Sequence, residues 1–268
     1  MSEKLLSLML ATVSRTLLLR DRLTGRMANQ LKAFSFEDER LVLLSGGRKL
    51  SAVYISAGQA APVFLICHGI GERVEYWQDV QTLLKKIGIS SLVFNYGGFG
   101  ASTGTVCRSH CEEDAVTAYK ELVRRGVRSI FLLGFSLGTG VVTAIASHVD
   151  ADGVILCEGF SSLREAGLAA GLPRWLTLLT PDAWPTAKRV SELDIPILVV
   201  HSEDDRLFPF SMAEKVMSGC KQGEQIVVAG YSHNAPIFEA AESYWEPIAS
   251  WAKRQIESKN NEIKISRR

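Results

Sequence analysis

The chain has 268 residues, 30 Lys+Arg against 29 Asp+Glu for a net charge of +1, and 47% hydrophobic residues. This excludes disordered, collagen-like and nucleic-acid-coating polypeptides, which combine few apolar residues with strong bias or large charge. A chain of this length is expected to form one α/β domain around one compact core.

At the N-terminus, the apolar run from Leu5 to Val13 is broken by Ser7 and Thr12 and has about half the ~20 residues needed to cross a bilayer. Ser14 and Arg15 follow it where a secretory signal would carry a small-residue cleavage site, and leucines resume at Leu17. Leu6, Leu10, Val13 and Leu17 recur at helical spacing, so residues 1–35 read as an amphipathic helical segment, docked on the core or lying on a membrane surface. Five cysteines, Cys67, Cys107, Cys111, Cys157 and Cys220, are too few and odd in number for a disulfide framework; a reducing, cytoplasmic setting is expected.

From Leu41 onward short apolar runs alternate with longer amphipathic ones, the pattern of successive β-α units. Leu41–Leu44 and Leu50–Ile55, joined across Gly46 and Gly47, predict an opening hairpin. Val63–Cys67, Ser91–Asn95, Ser129–Gly134, Gly153–Cys157, Ile195–His201 and Gln225–Ala229 predict buried strands, for about eight in all. Helices are expected over Tyr76–Ile87, Cys111–Arg125, Leu137–His148, Ser211–Ser218 and Ile237–Glu257, with Ser109 and Glu112 at capping-box spacing before the second. The interval 159–193, rich in Leu, Ala and Trp, reads as a small helical cap inserted in a core spanning 36–258. Residues 259–268 read as a flexible polar tail.

The strongest chemical signal is Gly134-Phe135-Ser136-Leu137-Gly138, between an apolar strand and a helical run. A serine on a tight strand-to-helix turn holds its hydroxyl above the sheet, and the flanking glycines avoid backbone collisions. Such a hydroxyl needs a base and an acid to become nucleophilic. An acidic turn, Ser202-Glu203-Asp204-Asp205, follows one late strand, and Gly230-Tyr231-Ser232-His233 follows the next. The order serine, acid, histidine places all three just past carboxyl ends of strands, where open α/β sheets build their sites.

Over Phe36 to Gln255 the chain resembles the α/β-hydrolase superfamily, in particular monoacylglycerol-lipase-like and Bem46-like serine esterases. The resemblance rests on the Ser136 turn, on Cys67-His68-Gly69-Ile70-Gly71, on Asn95-Tyr96-Gly97-Gly98-Phe99-Gly100-Ala101-Ser102-Thr103-Gly104, and on the acid and histidine turns. It implies a mostly parallel sheet of about eight strands flanked by helices, with a short helical cap after strand 6. It also implies a catalytic triad of Ser136, Asp205 and His233, with Asp204 the runner-up acid and Glu158 a third candidate. The oxyanion donors would be the N–H groups of Ile70 and Leu137, with His68 supporting its turn. His201 and His148 read as ordinary histidines.

The expected activity is cleavage of carboxylic esters of small to medium acyl groups through an acyl-enzyme, with Trp175, Leu179 and Trp184 of the cap lining the substrate pocket. Alternatives are an acyl thioesterase or depalmitoylase at a membrane surface, with the N-terminal helix making the peripheral contact, and a non-catalytic hydrolase-fold protein that binds a ligand or partner. The chemistry calls for no cofactor. No metal is expected, because the Cys107–Cys111 cluster lacks the second ligand pair that structural zinc needs. The expected partner is the small-molecule ester or thioester itself, with no nucleic acid and no obligate protein partner.

Overall fold

The computed structural model describes residues 38–179 and 182–266; the N-terminal amphipathic segment lies outside them. Strands β1 (Glu39–Ser45) and β2 (Arg48–Ile55) form the expected hairpin, and the turn residues Gly46 and Gly47 both take positive φ, 49° and 80°. A two-residue hairpin loop favours such glycines because its backbone then matches the twist of the strands. β3 (Val63–Cys67), β4 (Ser90–Phe94), β5 (Ile130–Phe135), β6 (Gly153–Cys157), β7 (Ile197–Ser202) and β8 (Gly223–Val228) complete an eight-stranded sheet in the order β1-β2-β4-β3-β5-β6-β7-β8. Among the described residues only β1–β2 and β2–β4 pair antiparallel.

Every residue of β3 through β7 is buried, because helices cover both faces of the sheet. On one face Leu65, Leu132, Leu156 and Val199 pack with residues of α2 (Arg108–Arg124) and α3 (Leu137–Ile145). On the other, Phe64, Leu133, Ile155 and Val200 meet α1 (Gln78–Lys86) and the long final helix α9 (Glu242–Ser266). All nine residues of α3 are buried, which an apolar sequence such as LGTGVVTAI permits. β8, expected as a buried strand, is an edge strand with Val227 about half exposed.

Between β6 and β7 lie three short helices, α4 (Leu163–Ala169), α5 (Arg174–Leu179) and α6 (Thr186–Val190), forming the cap, followed past β7 by α7 (Phe210–Met217). Three local expectations are corrected. Ser109 does not cap α2: the N-cap is Cys107, two residues earlier, while Glu112 binds Arg108 Nε at 2.9 Å and Trp184 Nε1 at 3.0 Å. The helix expected from Ile237 divides into α8 (Ala235–Phe238) and α9, the Pro236 carbonyl accepting from the Trp245 indole rather than from a continuing helical turn. The polar tail is helical as far as Ser266, and Lys259 ties it to Asp152 at 2.6 Å.

The loop after β4 is held by a buried ion pair. Arg48 Nη2 lies 2.7 Å from Asp114 Oδ1, the two side chains being 9% and 0% exposed, and Asp114 Oδ2 accepts from Gly97 N–H at 2.8 Å. A Cβ on Gly97 or Gly104 would come within 2.8 or 2.7 Å of Arg48 Cδ, so this loop needs glycine to lie over the arginine. Arg48→Ala strands a fully buried carboxylate and is expected to cost about 3–5 kcal/mol, read as a lowered urea midpoint.

Candidate active site

Ser136 sits between β5 and α3 with φ 52° and ψ −115°, a left-handed conformation that L-residues adopt only under constraint. The constraint is supplied on all sides. Its N–H donates to the Cys157 carbonyl at 3.0 Å, and its own carbonyl accepts from the Thr139 N–H at 3.1 Å and the Thr139 hydroxyl at 2.7 Å. A Cβ on Gly134 would lie 2.5 Å from the Gly138 carbonyl oxygen, and one on Gly138 would overlap the carbonyl oxygen of Cys67. Both collisions are with main chain, which has no rotamer to give. Gly138→Ala is therefore expected to cost about 3 kcal/mol and to depress the melting temperature measurably.

His233 reaches Ser136 from the turn after β8. The Ser136 hydroxyl donates to His233 Nε2 at 2.9 Å, and His233 Nδ1–H donates to Asp205 Oδ2 at 2.7 Å. This tautomer is required because an ionised carboxylate only accepts, which leaves Nε2 free to accept the hydroxyl proton. The other Asp205 oxygen accepts from Leu207 N–H at 2.7 Å and Phe208 N–H at 3.0 Å. Burial alone would raise the Asp205 carboxyl, but the His233 imidazole and those two N–H groups outweigh it and hold the acid below its ordinary value. Phe208 and Phe135 pack on the imidazole with ring centroids at 5.0 and 5.8 Å, fixing its plane.

The other two acid candidates lie elsewhere. Asp204 Oδ2 accepts from Gly230 N–H at 2.6 Å and so joins the two turns. Glu158, at the end of β6, is wholly buried on the far side of Asp205; Ser202 N–H donates to it at 3.2 Å and the Tyr244 hydroxyl at 3.0 Å. Burial, reinforced by the Asp205 charge, pushes its carboxyl up to about 8. His201, read from sequence as an ordinary histidine, belongs to the same group: polar atoms of Glu158, His201 and Asp205 all lie within 4.8 Å of one another. Such a trio could in principle hold a cation. Here Asp205 accepts from three N–H donors, Glu158 from two donors, and His201 Nε2 donates to the Phe208 carbonyl at 2.9 Å, so most of these polar atoms are already engaged by protein groups outside the trio.

The loop after β3 passes directly over the serine: a Cβ on Gly69 would lie 3.1 Å from Ser136 Cβ. This brings Ile70 and the start of α3 at Leu137 to the same point, and the first N–H groups of a helix have no partner within it. His68 lies beneath, donating from Nδ1 to Gly69 O at 2.8 Å and packed on Tyr96 at 4.6 Å; burial lowers it to about 4. Glu72, which sequence reasoning passed over, accepts from the Trp77 indole at 2.9 Å and lines the site. Of the cysteine cluster, Cys111 is buried in the core while His110 Nδ1 faces outward to Thr105 O at 2.9 Å.

A cavity of about 810 Å³ opens beside Ser136 and His233, with Ile70, Tyr76, Leu207 and Phe238 as apolar lining and Arg206 and Asp204 among the polar groups. Trp175 and Trp184, expected to line it, do not. Trp184 is wholly buried, its ring against Gly140 and its indole bonded to Glu112, because α3 needs an apolar cover on that side. Trp175 is 66% exposed and points away from the core; the side chain of Leu179 lies outside the described residues. The lining comes instead from turns at the strand ends, joined by Tyr76 and by Phe238 of α8, isolated residues that carry no periodic signal.

Residues 58–188 match the family model described as Serine aminopeptidase, S33. An uncharacterized protein of Mycobacterium tuberculosis is 28% identical over 198 residues, covering 71% of this chain and 70% of its own. Lysophosphatidylserine lipase ABHD12 of Danio rerio is 25% identical over 186 residues, which is 62% of this chain but 49% of that protein. Among solved structures, the esterase Pf2001 of Pyrococcus furiosus superposes with a TM-score of 0.68 at 20% identity, over 82% of this chain and 93% of that one. A soluble variant of the monoglyceride lipase of Saccharomyces cerevisiae gives 0.66 at 15% identity, over 84% and 97%. Strand order, the strained serine turn and these similarities agree, and the chain has the α/β-hydrolase fold.

Proposed function

We propose that this chain is a serine carboxylester hydrolase that forms an acyl-enzyme on Ser136. The observation that carries the reading is the unbroken hydrogen-bonded line from the Ser136 hydroxyl through His233 to Asp205. In the first half-reaction His233 Nε2 takes the hydroxyl proton as Oγ attacks the ester carbonyl, and the imidazolium that forms is stabilised by Asp205. The developing oxyanion is received by the N–H groups of Ile70 and Leu137, donors of a kind each worth on the order of 10²–10³ in rate. His233 then returns the proton to the leaving alcohol. Water, activated by the same imidazole, attacks the acyl-enzyme, and its proton passes through His233 to Ser136 as the carboxylic acid leaves.

Small to medium acyl groups are the substrates favoured by the cavity, whose 810 Å³ falls within the ~300–1,000 Å³ of small-molecule sites and whose lining is part apolar, part polar. The names of the relatives, a lysophosphatidylserine lipase, an esterase and a monoglyceride lipase, support an acyl ester as the class. No helix among the described residues is long and apolar enough to cross a membrane, and a peripheral contact through residues 1–35 is a proposal independent of them.

The test is fluorophosphonate labelling of purified protein with the modified peptide identified by mass spectrometry, followed by turnover of p-nitrophenyl esters of graded acyl length and matched thioesters. Labelling confined to Ser136, with ester turnover strongest at short and medium chains, is expected. Failure of Ser136 to label would favour a non-catalytic binding protein. Preference for thioesters would favour the depalmitoylase-like alternative, and turnover of aminoacyl amides alone would replace the ester reading by a peptidase one.

A further inference from the structure

The acyl-transfer chemistry leaves Glu158 without a task, yet its surroundings are built with care. Its backbone takes φ 47°, a left-handed value that glycine would adopt at lower cost. Its carboxyl is wholly buried with two donors, the Ser202 N–H and the Tyr244 hydroxyl, and no lysine or arginine pairs with it among the described residues. The groups facing it are Asp205 from the turn after β7, His201 from β7, Tyr244 from α9 and its own neighbour Cys157 on β6. His201 spends its Nε2 proton on the Phe208 carbonyl, so Nδ1 is a bare lone pair. That atom is buried, has no partner among the described residues, and lies 3.9 Å from Glu158 Oε2.

Two carboxyls sharing a dry pocket cannot both ionise. Asp205 has three N–H donors including an imidazole and keeps the charge; Glu158, less well solvated by the protein, keeps the proton. We propose that Glu158 is a positioning residue that stands behind Asp205 as a neutral acid, so that Asp205 alone carries the negative charge of this pocket and the carboxylate that orients His233 stays fixed. Burial that pushes the Glu158 carboxyl up to about 8 acts in the same sense as this geometry. The kinetic consequences rest on the ester-hydrolase reading; the location of the proton does not.

Glu158→Gln keeps the size and the donor and cannot ionise. For wild type, a folded-state value of about 8 lies above the ~4.3 of an unfolded Glu. The stability this group contributes is therefore full below the lower value and is lost progressively as pH rises to the upper one. The melting temperature of Glu158→Gln relative to wild type should rise between about pH 4.5 and 8 and then stay level. In ester turnover, Glu158→Gln should stay within about threefold of wild type at pH 7, and wild type should decline above about pH 8, where a second anion would stand beside Asp205, while Glu158→Gln should not. Glu158→Ala should lower kcat more than tenfold with KM little changed, since the residue touches no substrate. Tyr244→Phe withdraws a donor that favours the ionised form and should move the decline to higher pH.

A melting-temperature gap that is flat between pH 4.5 and 8, or that shrinks, would remove the proton from Glu158. Identical alkaline declines in wild type and Glu158→Gln, or a Gln variant as impaired as the Ala variant, would remove the positioning role. If wild type turns over no ester and Ser136 does not label, the hydrolase reading fails together with that role, while the stability gap still decides where the proton resides.

Discussion

Ser136→Ala is expected to lower kcat/KM for p-nitrophenyl esters by about 10⁴-fold or more while leaving the protein folded. Four powers of ten correspond to about 5.4 kcal/mol of transition-state stabilisation, far more than the loss of one hydroxyl from a nearly buried site costs in stability. The alanine keeps the Cβ and the backbone bonds to Cys157 and Thr139, so the strained turn survives and far-UV and near-UV spectra should match wild type. What disappears is the atom that His233 Nε2 activates at 2.9 Å. His233→Ala should lose a similar factor, and the double variant little more than either alone, because the two groups act as one unit. Residual turnover would come from water attacking a carbonyl polarised by the Ile70 and Leu137 N–H groups. Comparable turnover in purified Ser136→Ala would sink the acyl-enzyme mechanism.

Strands wrapped on both faces are the easiest to read from sequence, because burial on every side leaves unbroken runs of Val, Ile, Leu and Phe. β3 and β6 fall on the residues expected, Val63–Cys67 and Gly153–Cys157. β7 begins at Ile197 and not Ile195, since Pro196 intervenes and has no N–H for a ladder. The serine turn is legible for a related reason: glycine on both sides of Ser136 answers collisions that are themselves local or one strand away. Asp204 and Asp205 are adjacent in the chain, and only the fold reveals that one carboxylate turns to Gly230 and the other to His233. Glu158, His201 and Tyr244 come from three distant segments, so no spacing rule could join them. The same limit misplaced Trp184. An apolar residue in a cap can face a cavity or cover the core, and its position over Gly140 is a property of packing between α3 and the cap.

Asp205→Asn probes the acid with almost no change of shape. The two N–H donors of Leu207 and Phe208 require an acceptor at the Oδ1 position, so the Asn amide oxygen takes that place and the NH₂ group is left facing His233 Nδ1. A donor there demands an unprotonated Nδ1, which moves the imidazole proton to Nε2 and points N–H at the Ser136 hydroxyl. The base is then in the tautomer that cannot accept the proton, and no anion stabilises the imidazolium. A loss of about 10⁴ in kcat is expected on that ground, with KM nearly unchanged because Asp205 does not line the cavity. Fluorophosphonate labelling of Ser136 should slow by a comparable factor without being abolished, since the serine and its oxyanion donors remain. Asp204→Asn, altering a carboxylate that only joins two turns, should retain most of the wild-type turnover. An Asp205→Asn protein within tenfold of wild type would mean that His233 takes its orientation from elsewhere, and the hydrogen bond at 2.7 Å would then have to be read as structural.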